Sequence, residues 1–250
     1  IPVHAGQDTA FWMAVNHVIL KEFYVDRQVP YFVDYLKKYT DMPFLVEVPD
    51  PSIPPSLPGK GGVGGINRPG KYLRANRIFA GLENGDWKLL IWDSASGAPR
   101  LPQGSIGFRW PEKDKGKWNL EMRDALTGEE IRPELTFADR SDDIVQVAFD
   151  DFMGNTTLQR GVPVRYVDTP QGRVAVATVF DLTMAQFGVP RGLEGKDRPS
   201  GAYPQTYDDK TLYTPAWQEN LTGIHRDTLI RFAREWAVNA EKTNGKNLVI

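Results

Sequence analysis

The chain has 250 residues, a formal net charge of −2, and a composition of 41% hydrophobic and 25% charged residues. These proportions predict a globular protein with a buried core, and the balanced charge argues against a nucleic-acid or membrane-surface partner. Cysteine is absent, and the only histidines are His4, His17 and His225. The composition therefore excludes disulfide bonds, thiolate metal sites and cysteine nucleophiles from this segment, and it disfavours a histidine-rich metal site.

Both ends of the chain suggest that it is part of something longer. The sequence opens without an initiating Met on "IPVHAGQDTA", which is typical of the end of a strand followed by a helix start. It closes on "KNLVI", an apolar run typical of a buried strand. We therefore expect an internal fragment of a larger protein.

The sequence pattern of residues 1–48 predicts an α/β segment. Asp8 and Thr9 are suited to cap a first helix, whose apolar residues recur at helical spacing: Phe11, Ala14, Val15, Val18, Ile19 and Phe23. A second helix is predicted from about Pro30 to Tyr39, with its aromatic residues and Leu36 on one side. A short strand from Phe44 to Val48 follows it.

Residues 49–70 are rich in proline and glycine. Within them, Gly59, Gly61 and Gly64 match the spacing of a dinucleotide-binding loop. That loop needs a strand before it and a helix after it, whereas here prolines precede the glycines, and Pro69 and Gly70 follow them. We therefore predict a surface loop or linker without a phosphate site.

Residues 71–204 predict a β-rich, loop-rich region. Its short strand-like stretches, separated by Gly, Pro and Asp, are "WKLLIWD", "SIGFRW" and "KWNLEM". The clearest hairpin is "VPVRYVDTPQGRVAVATVFDL", in which two apolar runs flank a turn that contains Pro170 and Gly172. In this interpretation the second run continues to Leu182.

Residues 205–250 predict a return to α/β structure. A short helix begins at Pro215 and stops at Gly223, and a long helix begins at about Arg226. The apolar stripe of the long helix consists of Leu229, Ile230, Ala233, Trp236 and Ala237. With "NLVI" as a further strand, the fold class is α/β: Rossmann-like α/β segments at both ends bracket the β-rich middle.

Several polar residues outside the start of the first helix are candidates for chemistry. The acidic pairs Asp142–Asp143, Asp150–Asp151 and Asp208–Asp209 are interpreted as solvated loop charges, because adjacent residues do not converge on one substrate. His17 is interpreted as a packed or surface residue rather than a general base. In "GFRWPEKDKGKWNLE" a solvated hairpin tip is favoured. The alternative there is an anion-attracting group of Arg109, Lys113, Lys115 and Lys117.

The strongest local feature is the helix start in "HAGQDTAFWMAVNHVI". A glycine followed by an aspartate at the mouth of a helix offers backbone N–H donors, the positive end of the helix dipole and one carboxylate acceptor. This set suits a phosphate, bound by the N–H groups, and a guanine edge, bound by the carboxylate of Asp8. The simpler alternative is that Asp8 only caps the helix, which stabilises it by about 1 kcal/mol.

Five stretches together carry a resemblance to a known family. They are, in chain order, "GQDTAFWMAVNHVILKEFY", "YLKKYTDMPFLV", "GSIGFRW…KGKWNLE", "VFDLTMAQFGVPRGL" and "YTPAWQENLTGIHRDTLIRFAREWA". This pattern resembles the respiratory nitrate reductase alpha subunits and the related nitrite oxidoreductase alpha subunits. Both belong to the molybdenum bis-molybdopterin guanine dinucleotide family of the dimethyl-sulfoxide-reductase type. The resemblance covers nearly the whole chain, and the proline–glycine loop is its chief departure.

The resemblance implies part of a large multi-domain catalytic subunit that reduces nitrate to nitrite with electrons from quinol, passed through iron–sulfur centres. One alternative is a nitrite oxidoreductase that runs the reverse reaction. A further alternative is that the isolated fragment has a non-catalytic structural role. The implied cofactors are Mo-bis(molybdopterin guanine dinucleotide) and a [4Fe–4S] cluster. In this family the ligands of both metal centres lie upstream of the matching region, so we expect no catalytic or metal-ligating residue here.

The resemblance also implies a binding role for the first helix start. In this family the helix start after a strand contacts the guanosine end of one pterin cofactor, and this role carries over to Gly6, Gln7 and Asp8, with Thr9 beside them. The implied partners are nitrate or nitrite, an iron–sulfur beta subunit and a membrane subunit that oxidises quinol. The implied location is the cytoplasmic face of the membrane, reached through those partner subunits.

Overall fold

The computed structural model describes residues 3–48, 67–103, 122–152, 154, 157–191, 193 and 203–245. The chain divides into two compact units. The first unit comprises Ile1–Asp34, Phe149–Arg160 and Thr183–Ile250, and the second comprises Tyr35–Ala148 and Gly161–Leu182.

The described residues form both helices and strands. The α-helices are α1 (Asp8–Ile19), α2 (Pro30–Tyr39), α3 (Val179–Gln186), α4 (Pro215–Thr222) and α5 (Arg226–Thr243). A π-helical segment, Leu20–Asp26, continues α1, and Ala75–Arg77 forms a short 3₁₀ turn. The strands are β1 (Leu45–Val48), β2 (Ile91–Asp93), β3 (Ala98–Arg100), β4 (Asp143–Asp150), β5 (Thr157–Thr169) and β6 (Gly172–Thr178). This composition confirms the predicted α/β class.

The helix predictions with strong end signals are confirmed. Helix α2 has the predicted bounds, and α4 begins at Pro215, where the N–H of Trp217 donates to the Thr214 hydroxyl over 3.2 Å. Proline suits this first helical position because its missing N–H would have no partner inside the helix. Helix α4 ends before Gly223, and α5 begins at Arg226, both as predicted.

The first unit has its core between α1, α4 and α5. The buried residues of this cluster are Phe11, Ala14, Val15, Val18, Ile224, Leu229, Ile230 and Ala233. Aromatic rings extend it, since Phe11 lies 5.3 Å from Phe232 and Trp12 lies 5.5 Å from Trp236, centroid to centroid. Burying a large apolar side chain stabilises a fold by about 1.5–3 kcal/mol, so this face holds α1 firmly.

Most residues of the described sheets belong to the second unit. The larger sheet has the strand order β1-β6-β5-β4, and β2 pairs with β3 in a second, antiparallel sheet. Strands β5 and β6 are antiparallel neighbours with Thr169 opposite Gly172, which confirms the predicted hairpin and its turn. The core cluster of this unit consists of Leu45, Leu73, Ala75, Leu90, Trp92, Leu101, Phe137, Val167 and Val176.

The predicted second strand of the hairpin was too long. Residues 179–182 belong to α3, because the Thr178 hydroxyl accepts a hydrogen bond from the N–H of Asp181 over 3.0 Å and caps the helix. Asp181 is itself fully buried and accepts from the N–H of Phe137 over 2.8 Å. The sequence "TVFD" therefore ends the strand and starts the helix. The strand predicted over "WKLLIWD" is likewise shorter and comprises only Ile91–Asp93.

Several predicted features lie outside the described residues. These are the proline–glycine loop up to residue 66, the stretches "SIGFRW" and "KWNLE", and the strands expected at residues 1–2 and 247–250. The predicted segment boundaries at 48, 70 and 204 remain predictions. Among the described helices, none is long and apolar enough to cross a membrane.

Two buried basic side chains donate hydrogen bonds to the last two backbone carbonyls of α3 and to the carbonyl of the residue that follows it. His17 Nδ1 donates to the carbonyl of Phe187 over 2.8 Å, and Arg160 Nη1 donates to the carbonyls of Ala185 and Gln186 over 2.8 and 2.6 Å. Burial lowers the pKa of His17 to about 4, although its hydrogen bond to Phe187 opposes this, and burial also lowers the pKa of Arg160. His17 is therefore a packed, neutral residue. Arg160 was missed because nothing in "LQRGV" distinguishes a buried arginine from an exposed one.

Removing the Thr178 hydroxyl tests the origin of α3. We expect Thr178→Val, which keeps the volume of the side chain but removes the acceptor, to lower the free energy of unfolding by about 1–2 kcal/mol. Thr178→Ser retains the hydroxyl and serves as the matched control. Urea unfolding of the chain measures both, and equal midpoints for the valine variant and the native chain would contradict the capping role.

The buried His17 predicts an acid-sensitive stability. Its pKa is about 4 in the folded chain, against an ordinary value of 6.5 for histidine. As the pH falls below 6.5 the unfolded state takes up a proton first, so stability decreases until about pH 4, by roughly 3 kcal/mol in total. We expect His17→Asn, which keeps a donor for Phe187 but does not titrate, to lose less stability over this window. Parallel curves of urea midpoint against pH for the two proteins would contradict this.

Candidate cofactor-binding site

A tight turn precedes α1 and determines how the helix begins. The N–H of Gln7 donates to the carbonyl of His4 over 3.1 Å, which closes the turn through Ala5 and Gly6. Gly6 has a φ of 76°, in the left-handed region that favours glycine. A Cβ atom at this position would meet nothing within 4 Å. Glycine is therefore required here by the backbone conformation and not by crowding.

Gln7, and not Asp8 or Thr9, occupies the cap position of α1. The N–H of Ala10 donates to the carbonyl of Gln7 over 3.1 Å, and the Gln7 side chain makes no capping hydrogen bond. The prediction that Asp8 or Thr9 caps the helix was wrong, because both residues already lie in its first turn. The misleading signal was the usual preference of aspartate and threonine for cap positions. Because Asp8 lies inside the first turn, its carboxylate is not used in capping.

The first turn of α1 presents donors and an acceptor to solvent. Asp8 and Thr9 are exposed, whereas Ala10 directly after them is buried. Within the described part of the chain, no hydrogen bond occupies the backbone N–H groups of Asp8 and Thr9. A carboxylate in the first turn is also favourable near the positive end of the helix dipole, by about 0.3–1 kcal/mol.

This donor set fits the guanosine end of a pterin dinucleotide. Free N–H groups at a helix N-terminus bind phosphate oxygens, and an ionised carboxylate only accepts hydrogen bonds, which matches the N–H donors on a guanine edge. The four predicted residues Gly6, Gln7, Asp8 and Thr9 are thus brought together at one accessible surface. Among the described residues, no group of three or more His, Cys, Asp or Glu side chains is arranged to hold a metal ion.

Asp142 and Asp208, two of the other candidate residues, are engaged in contacts of their own. The Asp142 carboxylate accepts from the N–H of Tyr166 over 2.9 Å, and Arg226 forms an ion pair with Asp208 over 2.8 Å. Asp143 and Asp150 are the end residues of β4, so their assignment to loops was wrong, although both are exposed. Arg109 and its neighbouring lysines lie outside the described residues.

Comparison with known proteins identifies relatives along the whole chain. The respiratory nitrate reductase 1 alpha chain of Escherichia coli K12 is 39% identical over 260 aligned residues, covering 98% of this chain. The nitrate reductase alpha chain of Bacillus subtilis 168 is 36% identical over 100% of this chain, and the nitrate reductase alpha subunit of Mycobacterium tuberculosis CDC 1551 is 40% identical over 98%. No protein-family profile matches the chain.

The extent of these matches is asymmetric. The chain spans 19% of the length of each of these three relatives. The resemblance to nitrate reductase alpha subunits inferred from the five sequence stretches is confirmed, since all three relatives are nitrate reductase alpha chains. The chain is therefore homologous, over nearly its whole length, to a portion of the nitrate reductase alpha subunit.

Proposed function

We propose that the chain is part of the catalytic subunit of a molybdenum-dependent respiratory nitrate reductase. The observation that carries this proposal is the identity of 36–40% over 98% or more of the chain to nitrate reductase alpha chains. The reaction is the reduction of nitrate to nitrite and water, which consumes two electrons and two protons. The electrons come from quinol through iron–sulfur centres.

The names of the relatives favour reduction over the reverse reaction. All three are named nitrate reductases. A nitrite oxidoreductase resembles them in sequence, but no residue described here favours it. We therefore retain nitrate reduction as the proposed direction.

The first turn of α1 binds the guanosine end of one molybdopterin guanine dinucleotide in this proposal. The carboxylate of Asp8 accepts hydrogen bonds from the guanine edge, and the N–H groups of Asp8 and Thr9 donate to the nucleotide. Gly6 gives the turn the left-handed conformation that the helix start requires. When bound, the molybdenum centre supplies the oxygen-atom transfer, while this part of the chain holds the far end of its cofactor.

The proposed assembly contains further subunits and metal centres. Because the chain spans 19% of its relatives, the ligands of the molybdenum and of the [4Fe–4S] cluster are assigned to the remainder of the catalytic subunit. The designation "alpha" in the relatives' names supports an assembly of several chains. The proposed partners are an iron–sulfur beta subunit and a quinol-oxidising membrane subunit, which hold the enzyme at the cytoplasmic face of the membrane.

Substitution of Asp8 in the complete enzyme tests this site. We expect Asp8→Ala to lower the molybdenum content per polypeptide after gel filtration, because a charge-assisted hydrogen bond of about 1.5–3 kcal/mol corresponds to roughly ten- to hundredfold in affinity. The KM for nitrate of the molecules that keep the cofactor should not change, since Asp8 is assigned to the guanosine end. Molybdenum analysis by mass spectrometry and steady-state kinetics measure the two quantities.

A matched control separates the loss of this carboxylate from the loss of any surface charge. Asp34 is an exposed aspartate on α2, and Asp34→Ala removes the same atoms elsewhere. We expect that variant to retain native molybdenum content. Native content in Asp8→Ala as well would contradict the assignment of Asp8 to the cofactor.

A further inference from the structure

We propose that His4 is a positioning residue that fixes the turn before α1 against the C-terminal end of α4, and thereby sets the geometry of Gly6–Thr9. The inference rests on the proposed function of that turn. His4 does not itself contact the cofactor in this proposal. It acts through the backbone that carries the donors and the Asp8 carboxylate.

Three hydrogen bonds join His4 to its surroundings. Its backbone N–H donates to the carbonyl of Thr222 over 3.0 Å, and its ring Nδ1 donates to the carbonyl of Leu221 over 2.9 Å. Its own carbonyl accepts the N–H of Gln7 over 3.1 Å. A single residue thus connects the last two residues of α4 to the cap residue of α1.

The ring of His4 lies directly against Gly223, the residue that ends α4. A Cβ atom on Gly223 would lie 2.6 Å from His4 Nε2 and 2.9 Å from His4 Cε1, which is closer than such atoms approach one another. Gly223 also has a φ of 74°, which a side chain would strain. Glycine therefore ends the helix and leaves room for the imidazole.

The end of α4 is a firm support for this contact. Gln218 Nε2 donates to the carbonyl of Ile224 over 2.8 Å, and the N–H of Ile224 donates to the Thr222 hydroxyl over 3.1 Å. Gln218 and Thr222 are completely buried, and a further hydrogen bond joins their side chains. Because these groups are satisfied internally, the carbonyls that His4 binds have a defined position.

Loss of this support should weaken cofactor retention without removing any contacting atom. A binding group displaced by about 1 Å loses much of its effect, so the turn depends on what holds it. The ring bond to Leu221 is the only one of the three hydrogen bonds described above that depends on the side chain of His4. Substitution of His4 therefore tests the positioning role selectively.

The experiment uses three variants of the complete enzyme, His4→Ala, His4→Asn and His4→Gln. The asparagine amide places an N–H donor where Nδ1 of histidine lies, whereas the glutamine amide reaches the position of Nε2. We expect His4→Ala and His4→Gln to lose roughly tenfold in cofactor retention, and His4→Asn to stay close to the native enzyme. Retention is measured as molybdenum and as guanosine monophosphate released by acid hydrolysis, both per polypeptide after gel filtration.

A pair of glycine variants tests the same contact from the other side. Gly223→Ala adds a methyl group against the His4 ring. Gly81→Ala adds one at a φ of 77° where nothing lies within 4 Å, so it carries a similar backbone strain without a collision. We expect Gly223→Ala to lose cofactor and Gly81→Ala to retain it.

The outcomes separate this inference from the proposed function. Native retention in His4→Ala, with cofactor lost from Asp8→Ala, would overturn the positioning role alone. Native retention in both would overturn the proposed function of the turn. Equal loss in His4→Ala and His4→Asn would also overturn the inference, because the restored N–H donor would then have no effect. Rescue by His4→Asn, together with loss in Gly223→Ala, would establish it.

Discussion

The packing of α1 against α4 and α5 is the constraint on which the rest of the first unit depends. Ala14 and Ala233 have no exposed surface, and small residues at such positions let neighbouring helices approach closely while larger residues fill the space around them. Since a helix of 12 residues is stiff, its buried face determines where its exposed first turn points. The candidate site is therefore positioned by apolar contacts made farther along α1, and those contacts leave the backbone N–H groups of Asp8 and Thr9 accessible.

Hydrogen bonds add to the apolar core in positioning the turn before α1. The turn before α1 is hydrogen-bonded to the end of α4, and Ile224, two residues after α4 ends, belongs to the core that holds α1. The turn before α1 and the end of α4 thus stabilise each other. A site built on elements held in this way keeps its geometry before a ligand binds, which reduces the entropic cost of binding.

Much of the fold could be predicted where local signals decide it. Pro215 and Gly223 mark the ends of α4 by their own backbone preferences, and the β5–β6 turn follows from Pro170 and Gly172. Predictions failed where tertiary contacts decide. Val179 and Phe180 have side chains that favour strands. Residues 179–182 are nevertheless helical because Thr178 caps α3 and the buried Asp181 accepts a hydrogen bond from Phe137. The burial of Arg160 could not be predicted either, since it depends on carbonyls that lie 25 and 26 residues away in the chain.

The candidate site was also only partly predictable from local sequence signals. Its residues are predicted from a helix-start pattern together with a family resemblance, whereas the cap residue was misassigned because Gln7 has no strong intrinsic preference for that position. The most direct test of the proposed site is a structure of the complete enzyme with its cofactors bound. We expect a carboxylate oxygen of Asp8 at hydrogen-bond distance, about 3 Å, from the guanine edge of one cofactor. A guanine bound elsewhere, with the first turn of α1 covered by another part of the protein, would contradict it.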